Sequence, residues 1–423
     1  MKTALLHYWL TNMRGGEKVL AALGEMLPEA DIFTHAFGMG MREKGEGTRE
    51  KVRGRRDEGE GTRDEGEGTK DEGEGTRDEG RGLCWKGHCV KESFIARLPL
   101  GRKHPQAYLP LMPAATRSLN LDGYDLIVSS ESGPIKGVRK PAGARHICYC
   151  HTPMRYVWDM YDDYYRSTGV GGKIAMKLFT PYMRREDLRS AESVDTFVAN
   201  SAFVADRIKR IYDRDSVVVH PPVDIEFFTE PGALPQSFPF EPKSYYLYAG
   251  ELRDYKRPDL AVEACLKMGR KLVVIGNGKM RDALARRAAG RGDIVFLGRV
   301  SDDELRGVYS NAKALLFPGI EDFGIVPVEA QAAGVPVIAF GKGGALETVV
   351  DGKTGCFFNE AFCHSLCSAI EHFESANWDP TLCRSNAISF SRNEFLNQMK
   401  QILNLSVAVE RSQSRLGPLF SPR

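Results

Sequence analysis

The sequence contains no apolar run approaching the roughly 18 residues that a membrane-spanning helix needs. Its opening stretch, Met1-Lys-Thr-Ala-Leu-Leu-His7, is too short for a secretory signal. A soluble or peripheral protein of the cytoplasm, or of the inner face of a membrane, is therefore expected. It also lacks a charge excess: 58 Lys and Arg against 56 Asp and Glu leave +2, which argues against a dedicated nucleic-acid binder. No regular cysteine framework is present. Nine cysteines, an odd number, lie scattered in apolar contexts such as Ile147-Cys-Tyr-Cys150, as reduced thiols would. Cys84-x4-Cys89 with His88 and Cys363-x3-Cys367 with His364 miss the usual zinc spacings, so no metal is expected.

One segment lacks the means to bury a core. Between 42 and 82 only Val52 is apolar, and near-copies of Asp-Glu-Gly-Glu-Gly-Thr-Arg recur at 57–63, 64–70 and 71–77. A seven-residue period invites comparison with a coiled coil, but apolar a and d positions are missing and each copy carries glycine. The expectation is a disordered loop insertion without catalytic work, since polar insertions cost little.

What remains is ordinary globular composition, 42% hydrophobic and 27% charged over 423 residues, enough for two or three domain cores. Short apolar runs alternate with helical periodicity. Lys2–Trp9 reads as a first strand, followed by Gly15-Gly16 and an apolar-periodic helix from Lys18 to Met26. Asp125–Ser130, Arg145–Cys150 and Asp195–Ala199 read as further strands. His151 lies at the carboxyl end of the second of these, where open α/β sheets place functional groups. Asn200 and Ser201 read as helix caps, the default, or as hydroxyl-binding groups. The aromatic run Trp158–Tyr165 reads as a cleft wall or an interface. Lys173–Arg185 mixes basic and apolar residues at helical spacing and reads either as an ordinary packing helix or as a surface for anionic lipid. Proline-rich residues 216–244 read as an interdomain linker between units at 1–215 and 245–387. A helix at about 388–406 and a flexible tail at 407–423 follow.

The most informative stretch is Phe317–Phe340: buried strand, Pro-Gly turn, helix, buried strand. Glu321 falls in the loop at the strand's carboxyl end, and Glu329 about one turn into the helix. Dipole compensation alone accounts for many carboxylates at a helix start. The complete string, Glu321-Asp322-Phe323-Gly324-Ile325 with Glu329 after seven intervening residues, is more specific. It resembles the Glu-x7-Glu element of retaining family 4 glycosyltransferases. Gly15-Gly16 resembles the glycine-rich loop of that family, and His151-Thr-Pro-Met-Arg-Tyr-Val-Trp158 the acceptor-side His loop of its mannosyltransferase-like members, of the O-antigen and exopolysaccharide type. Gly250-Glu-Leu-Arg-Asp-Tyr-Lys256 resembles the signature in which an Arg and a Lys clamp the donor diphosphate, with Glu251 standing where the Arg is expected and Arg253 nearby.

The resemblance implies an α/β protein of the GT-B fold, two Rossmann-like domains facing across a cleft. It implies transfer of a hexose, mannose from GDP-mannose being preferred, to a glycan or lipid-linked hydroxyl with retention of configuration. Glu321, His151 and Lys256 would serve the reaction. Gly15, Gly16, Arg253, Lys256, Asp322, Phe323, Gly324, Ile325 and Glu329 would hold the donor. No cofactor beyond the donor substrate is implied. The expected partners are a nucleotide sugar, the acceptor and an anionic membrane surface, and not nucleic acid. A GT-B sugar-nucleotide epimerase and a degenerate donor-binding protein are the alternatives.

Overall fold

The computed structural model describes residues 1–38 and 83–413, the side chains through 403. The 42–82 insertion and residues 414–423 of the expected tail lie outside the described residues.

Two parallel sheets organise the chain. The first comprises β1 (Thr3–His7), β2 (Asp31–Thr34), β3 (Leu83–Trp85), β4 (His88–Glu92), β5 (Leu126–Glu131), β6 (Arg145–Cys150), β7 (Thr196–Ala199) and β8 (Ser216–Val218), in the order β3-β4-β2-β1-β5-β6-β7-β8. Every pairing is parallel except β3 with β4. The second comprises β9 (Tyr245–Ala249), β10 (Lys271–Ile275), β11 (Ile294–Gly298), β12 (Ala314–Phe317), β13 (Val337–Phe340) and β14 (Gly355–Phe358), ordered β11-β10-β9-β12-β13-β14 and wholly parallel.

The strands are apolar runs because helices cover both faces of each sheet. Alternation sends successive side chains to opposite cores. Leu5 joins Val128, Ile147 and the Gly15–Met26 helix on one side, while Ala4 and Leu6 join Phe33 and Ile127 on the other. In the second sheet Leu247, Val273 and Leu315 face one core, and Tyr246, Val274 and Leu316 face the opposite one.

Two boundaries differ from the sequence expectation. Ser216–Val218 pairs with β7, so the first sheet reaches three residues into the segment read as linker. The crossing falls at Pro221-Pro222: Val219 packs in the first domain, whereas Val223, Ile225, Phe228 and Phe240 pack in the second. The final helix, Arg392–Gln413, returns to the first domain through Phe395 and Met399. It continues past 406 because no glycine or proline interrupts the sequence before Gly417. Among the described residues no helix is long and apolar enough to cross a membrane.

Candidate active site

β12 ends at Phe317, and the chain then turns through Pro318-Gly319. A Cβ on Gly319 would lie 2.7 Å from the Lys256 Cα, so only glycine lets this loop rest against the backbone that carries Lys256. Gly324, at φ +89°, makes the left-handed step from which the Ile325–Ala332 helix departs. No side chain caps that helix, leaving first-turn N–H groups directed toward the space between the domains.

That space is a cleft of about 690 Å³. Gly15, Gly16 and His151 line it from the first domain; Lys256, Glu321, Asp322, Phe323, Gly324 and Ile325 line it from the second. Lys256 Nζ lies 2.6 Å from Glu321 Oε1, both side chains about four-fifths shielded from solvent. Burial opposes the lysine's charge, but Glu321 and Tyr255 outweigh it and hold its pKa above the ordinary value.

His151 is a neutral imidazole. Burial, with His7 and Arg155 adding to it, lowers its pKa to about 3. Its Nε2 lies 2.9 Å from Ser130 Oγ. Below the glycine loop, Glu17 Oε2 accepts the Arg14 N–H at 3.0 Å, and Glu17 Oε1 stands 3.7 Å from His7 Nε2.

Two expected donor groups lie outside the lining of this cleft. Glu329 is partly buried and accepts a hydrogen bond from the Tyr309 hydroxyl at 3.2 Å; burial raises its pKa. Arg253 turns back to Glu251, Nε to Oε1 at 2.8 Å, and lines an adjoining cavity of about 820 Å³. Glu251 itself lines the main cleft.

The structure adds residues that sequence reading did not assign. Arg14, Arg155 and Arg299 bring positive charge to the cleft, and Tyr8 and Asn277 bring hydrogen-bonding groups. Arg155 lies within the quoted His151–Trp158 string, so the signal was present. It stands between the two cavities, 3.4 Å from Asp322 Oδ2. Tyr164 of the aromatic run lines the adjoining cavity, whereas Trp158 donates from Nε1 to Asp187 at 2.7 Å. Asp187 also pairs with Lys136 Nζ at 2.6 Å, and Lys136 faces Glu131 at 3.3 Å, a fully buried network at the end of β5. Ser201 caps its helix through the Val204 N–H, in line with its reading.

Cys84 and Cys89 stand opposite one another in the β3–β4 hairpin, and His88 is directed to the Ala30 carbonyl at 2.8 Å. No group of three His, Cys, Asp or Glu placed to hold a metal occurs among the described residues.

Comparison with known proteins follows this division. Residues 72–227 match the family model described as Glycosyltransferase Family 4, and residues 233–389 match Glycosyl transferases group 1. A D-inositol 3-phosphate glycosyltransferase of Mycolicibacterium smegmatis is 31% identical over 182 residues, 39% of this chain and 42% of that protein. One from Streptomyces avermitilis is 30% identical over 199 residues, again covering 42% of the relative. The chain thus spans about two-fifths of the length of the curated relatives it matches. Among solved structures, sucrose-phosphate synthase of Thermosynechococcus elongatus superposes with a TM-score of 0.65 at 17% identity, over 97% of this chain and 100% of that one. Anabaena HepE in complex with UDP and glucose gives 0.61 at 15%, over 96% and 99%. The chain is a two-domain protein of the GT-B fold, its first domain matching Glycosyltransferase Family 4 and its second Glycosyl transferases group 1.

Proposed function

We propose that the protein is a retaining glycosyltransferase that moves a hexose from a nucleotide-diphosphate sugar to a hydroxyl of a glycan or lipid-linked acceptor. The observation that carries this reading is the Lys256–Glu321 pair facing Gly15, Gly16 and the open amino terminus of the Ile325–Ala332 helix in one interdomain cleft.

In this reading the donor diphosphate meets Lys256 Nζ and the first-turn N–H groups, which stabilise the charge developing as the sugar departs. Glu321 orients the sugar. His151, being neutral, exchanges hydrogen bonds with sugar or acceptor hydroxyls without competing for the phosphate proton. Attack and departure share one face of the sugar: the acceptor oxygen forms its bond to the anomeric carbon, and the leaving phosphate oxygen takes the acceptor proton. A covalent glycosyl-enzyme on Glu321 is not part of the scheme, because in a same-face departure the leaving phosphate itself serves as the base. Glu329 contacts the ribose once the donor displaces or extends its bond from Tyr309.

Mannose from GDP-mannose is the preferred donor on the resemblance of the His151–Trp158 string. The UDP and glucose bound by HepE make a UDP-hexose the second candidate. The acceptor arrives at an anionic membrane surface on the cytoplasmic side. Val170, Ile174 and Leu178, four residues apart on the Val170–Glu192 helix, are 77%, 63% and 68% exposed, with Lys173 and Lys177 between them. Glu251, paired with Arg253 in place of the expected phosphate-binding Arg, favours a second reading, donor binding without turnover.

One assay separates the readings. The protein is incubated with labelled GDP-mannose, UDP-glucose and related donors, with and without membrane lipid extract. Label entering lipid only with extract is expected; donor conversion without extract points to an epimerase, and binding without turnover to the degenerate protein.

A further inference from the structure

Thr152 follows His151, and Asp322 follows Glu321. One nitrogen joins these two neighbours: Arg207 Nη1 donates to Thr152 Oγ1 at 2.5 Å and to Asp322 Oδ1 at 2.8 Å. Its Nε meets Asp159 Oδ2 at 2.5 Å. The other Asp322 carboxylate oxygen faces Arg155 at 3.4 Å, and the Asp322 carbonyl accepts from Ser201 Oγ at 2.6 Å. Residue 322 belongs to the second domain, and every one of these partners to the first. The side chains of Arg207 and Asp322 are 8% and 12% exposed, so the pair is poorly screened. The helix that carries Arg207, Ala202–Tyr212, is gripped again at its start: Glu347 of the second domain accepts the Ala202 and Phe203 N–H groups at 2.7 and 3.1 Å.

We propose that Arg207 and Asp322 form a cross-domain latch that fixes the spacing between the His151 and Glu321 loops, making both of them positioning residues for the transfer. With both carboxylate oxygens committed to arginine, Asp322 acts on the donor through Glu321 rather than by touching it. Closing the domains and presenting Glu321 to the sugar are then one event, because the latch forms only when the domains meet.

The catalytic arm of the test rests on the glycosyl-transfer reading; the structural arm does not. Asp322→Asn, which keeps the shape, Arg207→Gln, Arg207→Lys and the Asp322→Asn/Arg207→Gln double variant are prepared in the full chain. Small-angle scattering is expected to show a larger radius of gyration for each single variant, and no further rise in the double. Transfer from labelled donor should fall in kcat roughly tenfold or more, within the usual range of coupling between sites, while the donor KM changes less than about threefold. The two losses should not add. Arg207→Lys should do almost as badly as Arg207→Gln, since a point charge cannot serve Thr152, Asp322 and Asp159 together. Unchanged scattering, additive losses, or a fully active Arg207→Lys overturns the latch. If Arg207→Gln does not fold, Asp322→Asn carries the test. If the wild-type protein turns over no donor, the transferase reading falls and scattering still decides the latch.

Discussion

Gly15→Ala tests how closely the two domains meet. Gly15 begins the Gly15–Met26 helix, and a Cβ there would lie 3.0 Å from Ile325 Cδ1, across the cleft on the second domain. Carbon atoms in good contact sit roughly 3.5–4.0 Å apart, so Ile325 must rotate or the domains must part by a few tenths of an ångström. Overpacking of this kind costs about 1–3 kcal/mol, which corresponds to roughly 5- to 150-fold less of the closed form. The loss should therefore appear in kcat/KM for transfer, with the midpoint of thermal unfolding little changed, because opening the cleft relieves the strain. Ile325→Val removes the crowded carbon and should restore most of the activity of Gly15→Ala. Gly16→Ala is the control. Its nearest contacts, at 3.4 Å, are His151 Nε2, His7 Cε1 and the Tyr8 hydroxyl, all within its own domain, and Ile325→Val should not rescue it. A Gly15→Ala/Ile325→Val protein no better than Gly15→Ala would show that the reaction takes place in a wider cleft, and the steric reasoning would fail.

Glu321→Ala should lose turnover by orders of magnitude in the labelled-donor assay; near-normal rates would remove Glu321 from the site. Lys256→Met should lower kcat/KM about 10- to 150-fold, the worth of one charged hydrogen bond of about 1.5–3 kcal/mol, and Lys256→Arg should not restore it. Stability measured by denaturant should fall as pH drops from about 6.5 toward 4. Burial lowers the pKa of His35 to about 4 and those of His146 and His151 to about 3, so in this window the unfolded chain binds more protons than the folded one. Glu131, pushed up to about 7 by burial, and Glu329, also raised by burial, oppose them; the three histidines outnumber these two carboxylates, so the slope keeps its sign, and a flat profile would refute the assignment. Replacing residues 42–82 by a short glycine–serine loop should leave transfer intact, and a folded but inactive deletion would give the repeats a role.

The parallel strands were legible because both faces are buried: residues 147–150 and Ala314–Phe317 are apolar runs, and each ends in the loop that carries a candidate group. The β3–β4 hairpin was not. It is an edge unit of a few residues, with charges between its apolar positions and a Lys86-Gly87 turn at positive φ, so its cysteines read as a doubtful half-site instead of a register pair. Local strings located Glu321, Lys256 and His151, because a loop at a strand end is a property of its own sequence. Arg207 escaped notice for the opposite reason. Its partners stand 55 and 115 residues away, and nothing in the surrounding helix distinguishes it from an ordinary solvated arginine.

The exchange of Arg for Glu at 251 now has an electrostatic consequence. On the second-domain wall of the cleft, Lys256 and Arg299 face Glu251, Glu321 and Asp322, and Arg253 is spent on Glu251, so that wall by itself carries no excess of positive charge. The first domain contributes Arg14 and Arg155, and their approach makes the balance positive. Arg155 also neutralises Asp322 in the latch, so the contact that closes the cleft is one of those that make it receptive to phosphate. In the transferase reading, where an Arg at 251 would let the second domain hold a diphosphate alone, the task is divided between the domains. Donor affinity should accordingly track closure, with Arg155 supplying at the domain boundary part of the charge that Glu251 removes.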